Sequence, residues 1–205
     1  MPPNIIIVDY GMANLRSVQK AFEKVGAAAE ITSDPERVQS AAKVVLPGVG
    51  AFRDAIAKLR ETGLGEAVVE QIHAGKPFFG ICLGMQLLFE RGLEDGIHTG
   101  LGVLKGDVVP FAENLGVKVP HMGWNTLNIK RPGCPLLRGL PDEAAFYFVH
   151  GYYAAPSEPN PTIAESDYPT PFCSAVWKDN IFATQFHPEK SQAMGQVLLR
   201  NFAQL

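Results

Sequence analysis

The sequence has only three cysteines, Cys82, Cys134 and Cys173, among its 205 residues. So few and so scattered, they give neither a disulfide framework nor the paired spacing of a zinc site. An odd count without a signal peptide fits a reducing compartment, and a cytoplasmic location is expected. Charge is modest: 19% of residues are charged, the net charge is −3, and no run of Lys and Arg could track a phosphate backbone. Nucleic acid is therefore not expected as a partner. Long apolar runs are missing as well. The opening Ile5-Ile6-Ile7-Val8 is only strand length, and nothing approaches the roughly 20 residues a membrane span needs. Repeats and low-complexity linkers are also lacking. Residues 1–205 are accordingly expected to form one domain, and a 46% hydrophobic content is enough for its core.

What is present is an alternation of strand and helix signals. Residues 4–8 form a β-rich run, and Asn14 is placed to cap a helix carrying Leu15, Val18, Phe22 and Val25, which Gly26 stops. Strands are expected at 29–32, 44–46 and 76–82. Helices are expected around Phe52, Ile56 and Leu59, around Leu64, Val68 and Ile72, and over 83–91. Such alternation implies a parallel sheet with helices on both faces. Beyond about Gly100 the helices thin out, and strands are expected at 103–109, 125–130, 146–149, 174–177 and 181–186. Lys178-Asp179-Asn180 marks a hairpin turn, 156–161 a Pro-rich surface loop, and Ser191 onward a last helix with Met194, Val197, Leu198 and Phe202 on one face. The expected fold is α/β: a largely parallel central sheet with an antiparallel extension.

The most informative stretch is Phe79-Gly80-Ile81-Cys82-Leu83-Gly84-Met85-Gln86. A buried strand runs into a helix across Gly-x-Cys-x-Gly, the thiol counterpart of the elbow that presents a nucleophilic serine on a strained turn. Gly80 and Gly84 are needed where strand and helix come too close for side chains. The following helix directs its positive end at the sulfur, and its first N–H, that of Leu83, is free to bind an oxyanion. Cys134 and Cys173 have no comparable surroundings and are read as structural or incidental.

A thiol nucleophile needs a proton acceptor. Of five histidines, His73 reads as a surface or edge residue, His98 lies in a Gly-rich loop, and His121 and His150 stand in Pro120-His121-Met122-Gly123-Trp124-Asn125 and Tyr147-Phe148-Val149-His150. His187 stands in Gln185-Phe186-His187-Pro188-Glu189 at the end of an apolar run. Residues two apart on an extended backbone point the same way, and Pro188 favours extended geometry before it. Glu189 can then hold one imidazole nitrogen while the other serves Cys82, an arrangement of nucleophile, base and orienting group.

Together, Gly80-Ile81-Cys82-Leu83-Gly84 and His187-Pro188-Glu189 resemble the class I (triad) glutamine amidotransferases. Within them, Asp9-Tyr10-Gly11-Met12-Ala13-Asn14-Leu15, Leu46-Pro47-Gly48-Val49-Gly50, Pro120-His121-Met122-Gly123-Trp124-Asn125 and Tyr147-Phe148-Val149-His150 resemble the glutaminase subunits of imidazole glycerol phosphate synthases. The resemblance covers residues from about 5 to the C-terminus. It implies glutamine as substrate, glutamate and ammonia as products, and no metal or organic cofactor. It assigns glutamine binding to Gln86 and Glu94 and to backbone groups of Gly50, Gly151 and Tyr152, and a second oxyanion donor to Val49, between Gly48 and Gly50. It also implies a (β/α)8-barrel cyclase partner receiving the ammonia in a heterodimer, with Trp124, Tyr147 and Lys190 at the interface. Two positions depart from the pattern: Gly151 where a small hydroxyl residue is expected, and Ala13 where glycine is expected. Two other readings are a triad glutaminase serving pyridoxal phosphate synthesis, which His-Met-Gly-Trp-Asn argues against, and an inactive binding subunit, which the intact triad argues against.

Overall fold

The computed structural model describes residues 5–112, 116–158 and 161–205. Its framework follows from the buried, largely apolar runs. β1 (Ile5–Val8), β3 (Lys43–Gly48) and β4 (Phe78–Cys82) are buried throughout, as strands covered on both faces must be. β1 lies between β2 (Ala29–Thr32) and β3; β4 and then β14 (Ile181–Thr184) follow, all parallel. The sheet continues antiparallel through β13 (Pro171–Lys178), β12 (Thr162–Asp167) and β9 (Asn128–Ile129) to eight strands. The largely parallel sheet with an antiparallel extension is what the sequence led one to expect.

Successive strand residues point to opposite faces, and the core divides accordingly. Ile6, Val44 and Leu46 pack with α2 (Pro35–Gln39), α3 (Phe52–Glu61) and α4 (Leu64–His73). Ile5, Ile7 and Val45 pack with α1 (Leu15–Lys24) and α6 (Gln192–Ala203). Beyond the carboxyl ends of the strands lie two smaller sheets. One pairs β8 (His121–Thr126) with β10 (Ala145–His150). The other sets β7 (Leu104–Pro110) between β11 (Tyr152–Pro156) and β5 (Phe89–Gly92), with β6 (His98–Thr99) beyond β5.

Four local expectations change. The helix expected over 83–91 is one turn, α5 (Leu83–Gln86), followed by β5. The carbonyls of Leu87, Leu88 and Phe89 accept from Leu101, Leu104 and Gly102, so tertiary bonds replace those that would have continued the helix. Asn14 precedes α1 but makes no side-chain cap. The strand expected at 125–130 is split between β8 and β9. Strands β11 and β12 and helix α2 were not foreseen, although Asp34-Pro35 signalled the last: the Asp34 carboxylate accepts from Glu36 N at 2.9 Å, with Pro35 in the first turn. Asn4 and residues 159–160 of the Pro-rich loop lie outside the described residues.

The consequence for the site is a shared edge. Gly48 pairs with Cys82 across β3 and β4, and Thr184 with Ile81 across β14 and β4. The chain segments leaving β3, β4 and β14 therefore emerge side by side at the carboxyl end of the sheet, where open α/β folds hold their ligands.

Candidate active site

Cys82 ends β4 with φ 54° and ψ −110°, a left-handed backbone that strains any non-glycine residue. Packing enforces it. A Cβ on Gly80 would lie 2.8 Å from the Gly84 carbonyl oxygen, and one on Gly84 would lie 1.8 Å from that of Leu46. Both glycines are thus required by close approach, as the motif suggested. The helix after the elbow is a single turn, too short for the summed dipole that a longer helix would direct at the sulfur. Positive charge at this site has to come from a side chain.

His187 supplies it. The residue follows β14 in extended geometry (φ −101°, ψ 95°), with its N–H donating to Tyr147 O at 2.9 Å and its carbonyl accepting from Ser191 Oγ at 2.6 Å. The extended backbone expected through Glu189 stops at Pro188, where a 3-10 turn, Pro188–Lys190, begins; proline's fixed φ and missing N–H suit a first helical position. The turn still brings Glu189 Oε1 to 2.8 Å from His187 Nδ1, with both side chains 3% exposed. A close backbone contact holds this turn against α6, because a Cβ on Gly195 would lie 1.8 Å from Pro188 O. Burial disfavours charge on His187, but the Cys82 sulfur and the Glu189 carboxylate outweigh it and push the imidazole up to about 10. Its Nε2 is buried without a hydrogen-bond partner, while the sulfur is close enough to act on the ring's charge.

A strained, buried cysteine beside an imidazole braced by a carboxylate is equipped for acyl transfer. Residues 6–205 match the family model described as Glutamine amidotransferase class-I. The chain belongs to that family. It is 50% identical to the imidazole glycerol phosphate synthase subunit HisH of Syntrophotalea carbinolica, over 98% of this chain and 100% of the relative. It is 54% identical to the protein of that name from Geobacter metallireducens, over 97% of each. The fold is shared with more distant proteins. The PurLQS structure from Thermotoga maritima matches with a TM-score of 0.76 at 18% identity, over 100% of this chain and 97% of that one. A crystal structure of another glutamine amidotransferase matches with a TM-score of 0.74 at 20% identity, over 98% of this chain and 99% of that one.

In this amidotransferase the two expected oxyanion donors differ in availability. Leu83 opens the helical turn, where an N–H has no intrahelical partner. The Val49 N–H instead donates to Met12 O at 3.0 Å. Gly50 has φ +98°, and a Cβ there would meet Met12 Cε at 2.9 Å. The loop after β1 therefore occupies the N–H expected to be the second donor, and sequence reasoning gave Met12 no part in this.

Glu94 and Tyr152 lie near one another. Burial, with Glu94 and Asp95 nearby, raises the Tyr152 phenol, and Glu94 Oε2 accepts from Phe52 N at 2.7 Å at the start of α3. Gln86 is buried, and its amide nitrogen bonds Tyr152 O at 2.9 Å and Gln185 Oε1 at 3.0 Å. The Gly151 carbonyl accepts from Phe111 N at 3.4 Å. Of the expected interface residues, Trp124 is half exposed and meets the Tyr147 ring edge-on at 6.2 Å, which excludes simple core packing. Lys190 Nζ lies 6.0 Å from the centre of the Tyr147 ring. Cys134 and Cys173 are buried, and burial pushes the Cys173 thiol up to about 12, in keeping with structural roles.

His121 and His150 turn out to be a buried pair, Nδ1 to Nε2 at 2.9 Å, with His121 stacked on Tyr168 at 4.0 Å. Burial lowers them to about 4 and about 3. An unfolded histidine titrates at about 6.5, so on acidification the unfolded state takes protons first. Their stabilisation is present above about pH 6.5 and is lost as pH falls toward these depressed values. The melting temperature should drop between about pH 7 and about pH 5, with a shallower slope in His121→Phe; an equal slope would remove the pair as the cause.

Proposed function

We propose that this amidotransferase is the glutaminase subunit of imidazole glycerol phosphate synthase in histidine biosynthesis. It hydrolyses glutamine to glutamate and ammonia, and the ammonia serves a cyclase subunit that forms imidazole glycerol phosphate and an aminoimidazole carboxamide ribotide. The observation that carries the chemistry is the 2.8 Å contact of His187 Nδ1 with Glu189 beside the strained Cys82 elbow. The pathway rests on the HisH relatives at about half identity over nearly the full length.

The geometry supports the following steps. Cys82, deprotonated by His187, adds to the glutamine side-chain carbon, and the amide oxygen takes the charge against N–H groups of Leu83 and, once freed, Val49. His187 gives its proton to the departing nitrogen, leaving a γ-glutamyl thioester and ammonia. Water then adds, its proton passing to His187, and glutamate leaves. Glu189 accepts from Nδ1 throughout and keeps Nε2 for the proton transfers. Gln86 and Glu94, with backbone of Gly50, Gly151 and Tyr152, form the glutamine pocket.

Because free ammonia becomes unreactive ammonium at neutral pH, direct transfer to the partner is needed. We assign the partner a (β/α)8-barrel fold and place both proteins in the cytoplasm. Met122 and Trp124 alternate outward from β8 at 62% and 50% exposure, which suits docking, with Tyr147 and Lys190 beside them. Co-expression with the candidate cyclase should give a stable heterodimer that releases glutamate. Capture of a pyridoxal phosphate synthase subunit instead would favour another triad glutaminase, and a complex releasing no glutamate would favour an inactive binding subunit.

The roles of base and orienting group are separable in that complex. Glu189→Gln should impair turnover less than His187→Ala, since an amide can still orient the ring while nothing nearby replaces the proton carrier. Equal losses, or the reverse order, would overturn the assignment.

A further inference from the structure

The amide chain beside the nucleophile has directions that can all be fixed from one atom. The Tyr152 carbonyl oxygen can only accept, and it receives two bonds at 2.9 Å, from Gln86 and from His150 Nδ1. Gln86 must therefore turn its NH2 group this way. That same nitrogen lies 3.0 Å from Gln185, so the atom of Gln185 meeting it has to be the oxygen. The Gln185 NH2 is left facing the Cys82 sulfur at 3.7 Å. On the other branch, His150 Nε2 must accept from His121 Nδ1, and His121 Nε2 must accept from Asn125 Nδ2 at 3.4 Å. Each of these bonds runs from a donor to an acceptor in a consistent sense, and none of the steps above requires Gln185.

We propose that Gln185 is a further catalytic residue, whose amide N–H donates to the Cys82 sulfur and stabilises the thiolate each time it forms. The proposal rests on Cys82 being the nucleophile. The thiolate arises twice per turnover. It forms first when His187 takes the thiol proton. It forms again when the tetrahedral adduct of water on the thioester collapses: the C–S bond breaks, sulfur keeps the electron pair, and glutamate departs. Gln185 is fully buried on its own backbone bond to Ser174 O at 2.9 Å, so the donor is already in place and no water competes for the sulfur from that side. Gln86 and the His121–His150 pair are positioning residues for this bond.

The test uses the assembled complex with Gln185→Met, which keeps length without a donor, and Gln185→Glu, which still accepts from Gln86 but offers the sulfur an acceptor. Iodoacetamide labelling of the Cys82 peptide is followed by mass at neutral pH, with Cys82→Ala as the site control. A hydrogen bond to a charged atom is worth about tenfold in thiolate population, and the less stabilised thiolate regains about threefold in reactivity. Labelling should therefore slow about threefold in Gln185→Met and further in Gln185→Glu, with kcat for glutamine falling and unfolding remaining cooperative. Unchanged labelling and kcat in a folded Gln185→Met would overturn the proposal. Loss of cooperative unfolding in both variants would make Gln185 a structural strut and overturn it too. A wild-type Cys82 that resists labelling would instead bring down the parent reading.

Discussion

Cys82→Ala should abolish glutamine-dependent synthesis by the assembled enzyme while added ammonium salts still support synthesis as they do in the wild type. The sulfur is the only group at the elbow able to form the thioester, so no residual path through glutamine remains. Alanine fits the site: the elbow is held by backbone contacts of Gly80 and Gly84, and removing a sulfur from a residue that is 6% exposed disturbs neither. Ammonia is consumed in the partner, which the substitution does not touch. Parallel loss of both activities would show that Cys82 serves folding or docking.

The second large effect concerns the Val49 peptide. Its N–H donates to Met12 O, so on the proposed reading the isolated chain has its His187–Glu189 pair in place while the second oxyanion donor is engaged elsewhere. Losing one oxyanion donor costs a factor of about 10²–10³. Glutamate release by the chain alone should be lower by that factor than release by the complex holding the cyclase ligand. Glycines on both sides, one of them at φ +98°, allow the peptide to turn at little cost. The ligand must favour the turned state through differential contacts relayed across the interface. Val49→Pro removes the donor and should hold the complex at its unstimulated rate. Full activity in the isolated chain would sink the account, and normal stimulation in Val49→Pro would sink the peptide turn while leaving the coupling.

Legibility followed the range of the forces involved. The buried runs at 5–8 and 78–82 and the helical spacing in α1, α3 and α4 are local patterns, and they gave the parallel half of the sheet. The glycines around Cys82 were legible because close approach leaves no alternative residue. The expected helix over 83–91 failed because the amides of Leu101, Gly102 and Leu104 took its carbonyls, a competition set by segments distant in sequence. Strands β11 and β12 were missed for a related reason: half-buried positions such as Tyr152 and Tyr153 lack a sharp period, and pairing with β7 and β13 settles their conformation.

By itself the sequence singled out the groups on which the proposed chemistry rests: a cysteine between two obligatory glycines, and a histidine with a carboxylate two residues on. It could do so because each constraint acts between neighbours on the chain. Only the tertiary structure decided how those groups are poised. It placed the Met12 carbonyl against the Val49 N–H, shortened the helix that would have charged the sulfur, and set the Gln185 amide beside Cys82. Each of these depends on which atom of a distant segment arrives within about 3–4 Å, the range over which a hydrogen bond to nitrogen, oxygen or sulfur forms.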